Sequence, residues 1–585
     1  MDILLVVSAF NSLSQRVYAE LSDLGHRVDV VLASHDPDTV RAAVRERRPE
    51  LVVAPLLKTA LPEDVWREHT CLIVHPGPPG DRGPSSLDWA IAEAAPQWGV
   101  TVLQAQAAMD AGDIWAAESF PVSPVGKSDL YRGEVSDAAS AAVRLAVQRY
   151  GDGSFKPQRQ NDPAVVDVVW RDAFRQEQRR IDWARDSTQT VLRKLRGADS
   201  QPGVLDELLG REVFLHGGHS EDRLRGRPGE LLATRAGAVC RATADGAVWI
   251  PELRPRKNSG DPAPFRRPAA SVLATFPAPP DAVPRSYAGV QWLQEVSVPL
   301  ELPQGRRTWT DIRYAQRGDV GFLNFSFPGG AMSTDHCRRL LAAYRYALTR
   351  PTSVLVLGGA RDFFSNGIHL NVIEAAADPA AESWANLNAM DDLVEAVLRT
   401  TDRLVVAALG GNAAAGGLML ALAADEVWCR AGAVLNPHYR RMGLYGSEFW
   451  TYSLPRRVGA ETARRLTTEA LPVSAASAVR IGLVDRRVLV PAQGFAGEVG
   501  RMADALLDAP DLGQRIAAKA AARRADEDER PLAEYRHAEL ARMHAVFFDP
   551  HAPYHALRSA FVRKLPGAGA RPLSPVSEQG TGDAR

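Results

Sequence analysis

Twice along this chain an alternation of strand and helix begins afresh, and a stretch of different texture separates the two beginnings. In the first, "DILLVVSAF" reads as a strand, "SQRVYAELSDLG" as a helix ending at a glycine, "RVDVVLAS" as a strand, "DPDTVRAAVRER" as a capped helix and "PELVVAP" as a third strand. Strands that alternate with helices build a parallel sheet covered on its faces. From about residue 165 to 275, short apolar pieces ("REVFLHGG", "GELLAT", "GAVWIPEL") stand between Gly, Asp and Arg turns, the texture of a small β-rich module. "PAPPDAVP" reads as a linker. "RYAQRGDVGFLNFSF" then opens the second α/β pattern, with helices dominating from about 500. A chain of 585 residues is too long for one core. The expected fold class is therefore α/β throughout: a parallel-sheet domain over 1–164, a β-rich subdomain over 165–275, a linker over 276–299, a second α/β domain with a helical C-terminus over 300–565, and a disordered Gly/Ser/Pro-rich tail over 566–585.

Composition narrows the function. Lys+Arg number 69 against 70 Asp+Glu, so no net field draws the chain to nucleic acid or an anionic membrane. The opening "MDILLVVSAF" has no basic leader region or small-residue cleavage site, and no apolar run is long enough for a bilayer, so a cytoplasmic location is expected. Cys71, Cys240, Cys337 and Cys429 lie far apart and are expected as small buried hydrophobes, with no disulfide framework and no metal site. The first strand-to-helix turn reads S-A-F-N-S where a dinucleotide cradle would read G-x-G-x-x-G, which argues against a nicotinamide enzyme.

Two segments of the first half carry chemistry: "CLIVHPGPPGDRGPSSLDWAI" and "GVTVLQAQAAMDAGDIW". An imidazole takes a proton from a nucleophile near neutral pH, and a carboxylate holds it in one tautomer. Together with "RIDWARDSTQTVLRKLRG", these segments resemble the folate-dependent formyltransferases over about residues 1–275. The resemblance places the catalytic histidine at His75 and its aspartate at Asp113. One departure stands out: the family's asparagine, two residues before the histidine, is Ile73, which cannot donate a hydrogen bond to a formyl oxygen. Asp81, Ser85 and Ser86 are nearby polar candidates for a substitute role, with helix capping as the expected job of the serines.

The second half carries "ARDFFSNGIHL", "ALGGNAAAGGLMLALAADEVW" and "GLYGSEFWTYSLPRRVG" in that order. These resemble the crotonase (enoyl-CoA hydratase/isomerase) superfamily over about 300–500. The resemblance implies an oxyanion hole for a CoA thioester, with the backbone N–H groups of Ile368 and Gly416 as donors. One hydratase glutamate position is Met419, and the other falls in "NPHYRR" near His438 and Tyr439. Glu448, set among aromatic residues, is the expected general base, with Tyr439 assisting.

Over nearly the whole chain the two halves together resemble the HypX family of nickel–iron hydrogenase maturation proteins. That resemblance implies formyl transfer from 10-formyltetrahydrofolate to coenzyme A, then loss of carbon monoxide from formyl-CoA, with other maturation proteins as possible partners. Candidate CoA contacts are Arg16, Arg132 and Gln201 in the first half and Arg558, Arg563 and Lys564 on the C-terminal helix "HALRSAFVRKL". Three alternatives remain open at this stage: an enoyl-CoA hydratase/isomerase with a vestigial first half, a formyltransferase or deformylase with a CoA-sensing second half, and a non-catalytic scaffold.

Overall fold

The computed structural model describes residues 1–33, 36–160, 167–277 and 292–565. The expected tail, and most of the expected linker, lie outside these residues. The first sheet has six strands in the order Arg27–Leu32, Asp2–Val7, Leu51–Ala54, Cys71–His75, Gln97–Gln104, Ile114–Pro121. The first four run parallel, and the last two are antiparallel, so the parallel pattern ends at the strand that carries His75. The central strands are buried on both faces, as strands covered by helices must be. Helices Ser12–Asp23 and Ser136–Asp152 supply Val17, Leu21, Ala139 and Val143 to the core.

The β-rich module forms two four-stranded antiparallel sheets around helix Thr188–Ala198, whose Val191, Leu192 and Leu195 enter its core. Its borders differ from the expected ones in two places. Strand Val169–Trp170, past the expected border, pairs with Asp81–Arg82 and so belongs to the wall beside His75. At the other end, the linker's last residues dock on the module: the Thr234 amide donates to Gln294 O (2.8 Å), and the Val296 amide to Thr234 O (2.9 Å).

The second α/β domain has a six-stranded sheet ordered Ile312–Arg317, Val320–Phe325, Val354–Gly358, Leu404–Leu409, Glu426–Arg430, Arg486–Val488. Helices Thr334–Leu348 and Pro379–Leu398 pack beside it, and the chain ends in helices Phe495–Leu507, Leu512–Glu529, Leu532–Phe548 and Pro553–Arg563. No helix among the described residues is long and apolar enough to cross a membrane.

Charged groups join the halves. Arg132 makes two 2.7 Å bonds to Asp362, and Arg361 reaches Asp129 (2.9 Å) and Glu134 (2.6 Å). Asp137 accepts from Arg16 of its own half (2.5 Å) and from Arg430 of the other (3.0 Å). Arg16 is therefore engaged within the protein, by Asp137 and by Glu20 (2.7 Å). The Arg430 side chain is only 3% exposed. Asp137→Ala leaves two buried guanidinium groups without this carboxylate, so denaturant unfolding should show a loss of about 2–4 kcal/mol.

Candidate active site

His75 is the last residue of strand Cys71–His75, and its face of the strand is shared with Cys71 and Ile73. Ile73 packs with Cys71, Val52 and Ala105, so the surface below the imidazole is apolar and holds no donor in the place of the missing asparagine. Two carboxylates hold the ring. Nε2 lies 2.9 Å from Asp81 Oδ2, and Nδ1 lies 3.5 Å from Asp110 Oδ1. The expected partner, Asp113, makes no ion pair with His75 among the described residues; its carbonyl accepts from the Gln104 amide (2.9 Å). The tight turn at the head of "DAGD" explains the exchange: Asp110 has φ +52°, its carboxylate accepts from the Gly83 amide (3.1 Å), and Gln160 donates to the Asp110 and Gly112 carbonyls (3.0 Å each).

Burial disfavours charge on Asp81, but hydrogen bonds from His75 and Ser86, with the His75 and Arg171 charges, outweigh it and hold the carboxyl below the usual carboxylate range. The glycine after "HP" is required by this packing. A Cβ on Gly77 would lie 2.3 Å from Asp81 Oδ2 and 2.4 Å from His75 Nε2. The serines do not cap the following helix with their side chains. Ser85 Oγ accepts from the Phe174 amide (3.0 Å), and Ser86 Oγ donates to Pro76 O (2.8 Å).

In the second half, the loop before helix Gly416–Leu422 abuts the loop that carries Ile368: a Cβ on Gly367 would lie 3.2 Å from Gly416 N. Neither the Ile368 nor the Gly416 amide N–H has a protein acceptor among the described residues. Glu448 is 1% exposed and lies over this pair: a Cβ on Gly416 would fall 2.1 Å from its Oε1. Its Oε2 accepts from Tyr439 O–H (2.8 Å) and from the Ser447 amide (3.0 Å), while Oε1 has no donor among the described residues. Burial, then the neighbouring Asp391 charge, raises the Glu448 carboxyl well above the usual carboxylate range. Met419 is fully buried in the core. His438 is turned aside, its Nδ1 3.0 Å from Asn436 O.

A cavity of about 320 Å³ opens between the halves. Its wall includes Arg132, Arg196, Arg266, Arg313 and Arg361, which come from all three folded units. Arg196 and Arg313 have no carboxylate partner among the described residues. His219 lies on the same wall. Of the expected contacts, Arg132 lines this cavity. Gln201 is exposed, and its carbonyl accepts from Lys127 (2.8 Å). Arg558 and Arg563 are engaged by Glu374 (2.8 and 3.2 Å), and Lys564 lies over the Phe561 ring. Arg196, Arg266 and Arg313 come from scattered segments with no motif to mark them. No group of three or more potential metal ligands occurs among the described residues.

Comparison with known proteins agrees with this architecture. Residues 32–147 match the family model "Formyl transferase", 174–265 "Formyl transferase, C-terminal domain", and 328–565 "Enoyl-CoA hydratase/isomerase". A methionyl-tRNA formyltransferase of Deinococcus radiodurans is 27% identical over 198 residues, 33% of this chain and 58% of its own length. The crystal structure of HypX from Aquifex aeolicus in complex with tetrahydrofolic acid is 42% identical, covers 96% of each chain and superposes with a TM-score of 0.90. The hydrogenase maturation factor HoxX of Bradyrhizobium diazoefficiens is 47% identical over 97% of this chain and 95% of its own. The chain therefore belongs to the HypX/HoxX family of hydrogenase maturation factors, with a formyltransferase half and a crotonase-like half.

Proposed function

We propose that this protein makes carbon monoxide from 10-formyltetrahydrofolate by way of formyl-CoA, and so supplies the metal centre of a hydrogenase in the cytoplasm. In the first half His75, steadied by Asp81 and Asp110, takes the proton of the CoA thiol. The thiolate attacks the formyl carbon, the C–N bond to the folate breaks, and the folate nitrogen recovers a proton. In the second half the formyl oxygen lies on the Ile368 and Gly416 amides. Glu448 Oε1 removes the formyl hydrogen, the C–S electron pair leaves with sulfur, and the same proton ends on the thiol. The products are carbon monoxide and CoA, with no water consumed. CoA and the folate are substrates here, and the CoA phosphates are assigned to the Arg-lined cavity, where Arg196 and Arg313 lack carboxylate partners.

One observation carries this reading. An unpartnered carboxylate oxygen stands over an oxyanion site whose hydratase glutamate position holds buried Met419. A base with no means of placing water suits proton abstraction and elimination rather than hydration. The decisive experiment combines purified protein, 10-formyltetrahydrofolate and CoA, with carbon monoxide trapped on haemoglobin. Formate in place of carbon monoxide overturns the proposal.

Three outcomes are expected. Glu448→Gln should slow carbon monoxide release from supplied formyl-CoA by about 100-fold or more while sparing formyl-CoA formation. His75→Asn and Gly77→Ala should show the reverse split, each lowering formyl transfer about 100-fold. Because the Glu448 carboxyl is raised, its basic form accumulates only at high pH. Release from formyl-CoA should therefore climb with pH through and beyond neutrality, which a pH–rate profile with supplied thioester would read.

A further inference from the structure

The turn that presents Glu448 is held in an unfavourable backbone conformation. Glu448 and Phe449 have φ of +60° and +57°, and neither is glycine. Left-handed geometry at two successive residues with side chains is unfavourable and persists only where the surroundings enforce it. Here buried carboxylates enforce it. The Glu448 amide donates to Asp391 Oδ1 (2.8 Å), and Ser447 Oγ donates to both Asp391 oxygens (3.0 and 2.8 Å). The Phe449 and Thr451 amides donate to Glu539 (2.9 and 2.8 Å).

Asp391 is fully buried in the middle of helix Pro379–Leu398, on the face that carries Leu387, Met390 and Val394. A structural acceptor for one amide and one hydroxyl need not carry a charge at that depth; an asparagine would serve. The carboxylate also lies beside the proposed base. The charged and titratable groups around the pair are Arg536 (Nε 3.9 Å from Asp391 Oδ2) and Glu539 on helix Leu532–Phe548, Cys337 on Thr334–Leu348, Asp392 on its own helix, and Tyr439. Arg536 is divided among Asp391, Asp392 and Glu395, with its 2.6 and 2.8 Å bonds going to the latter two. The negative charge on Asp391 is therefore only weakly answered.

We propose that Asp391 is a positioning residue for Glu448: it locks the left-handed turn through Ser447 Oγ and the Glu448 amide, and it sets a second carboxylate against the base. The assignment of Glu448 as base rests on the function proposed above; the effect of Asp391 on the Glu448 proton does not. Burial raises both carboxyls, and at Glu448 the Asp391 charge raises the carboxyl further.

The test is an infrared pH titration of the protonated-carboxyl stretch in the full-length protein, with the band missing from Glu448→Gln taken as that of Glu448. Asp391→Asn keeps an amide acceptor and removes the charge, so the Glu448 midpoint should fall by about one pH unit or more. Asp392→Asn, the same charge change on the exposed neighbour, should leave it in place. An unchanged midpoint in Asp391→Asn overturns the proposal. If that variant does not fold, Ser447→Ala decides in its stead: losing the hydroxyl donor weakens the Asp391 charge, and the Glu448 midpoint must fall or the proposal fails. The pH profile of carbon monoxide release from formyl-CoA should move to lower pH by the same amount in Asp391→Asn. If the parent protein releases no carbon monoxide, the proposed function fails, while the titration still decides the role of Asp391.

Discussion

Arg361 and Asp362 are adjacent in the second half, and each takes an oppositely charged partner from the first. This crossed pair of ion pairs is the constraint on which the shared cavity depends. Most of its members are at least three-quarters buried from solvent, so the bonds act at reduced dielectric and removing one partner leaves a costly unpaired charge. The seam brings Arg132 of the formyltransferase half, Arg196 of the β-rich module and Arg313 of the crotonase-like half to one space. Each of the three units contributes cations to the wall of this space.

The two candidate sites use the same local device. In each, a glycine clears the volume that a reacting side chain must occupy: Gly77 for His75 and Asp81, and Gly416 for Glu448. Any Cβ at these positions would overlap those side chains themselves. The surrounding electrostatics then diverge. His75 is bracketed by two carboxylates, and Arg171 donates to one of them, Asp81. Glu448 is buried beside further carboxylates, and burial and the Asp391 charge hold its carboxyl above the usual carboxylate range.

Both halves, and the glycine-marked turns within them, are legible in the sequence because close backbone approach admits one residue type. The heart of each site is legible for the same reason. What escapes are choices between neighbours. In "DAGD" two aspartates stand three apart, and only the left-handed turn at Asp110 brings that one, not Asp113, to the imidazole. In "MDDLVEAV" the helical phase buries Asp391 and leaves the side chain of its neighbour Asp392 half exposed. The cationic cavity is hidden because its arginines come from segments far apart in the chain. The C-terminal helix looks like a phosphate contact until Glu374, nearly two hundred residues earlier, is seen to engage two of its cations.

The seam residues and the proposed oxyanion donor share one short loop. Arg361 and Asp362 stand at its head, Ile368 lies seven residues from the first of them, and Phe364, between them, is packed into the core. Over so short and anchored a segment, a shift of the formyltransferase half is transmitted to the Ile368 amide with little slack. The contacts that join the two halves and the amide proposed as an oxyanion donor thus belong to one short span of chain, anchored between them by Phe364.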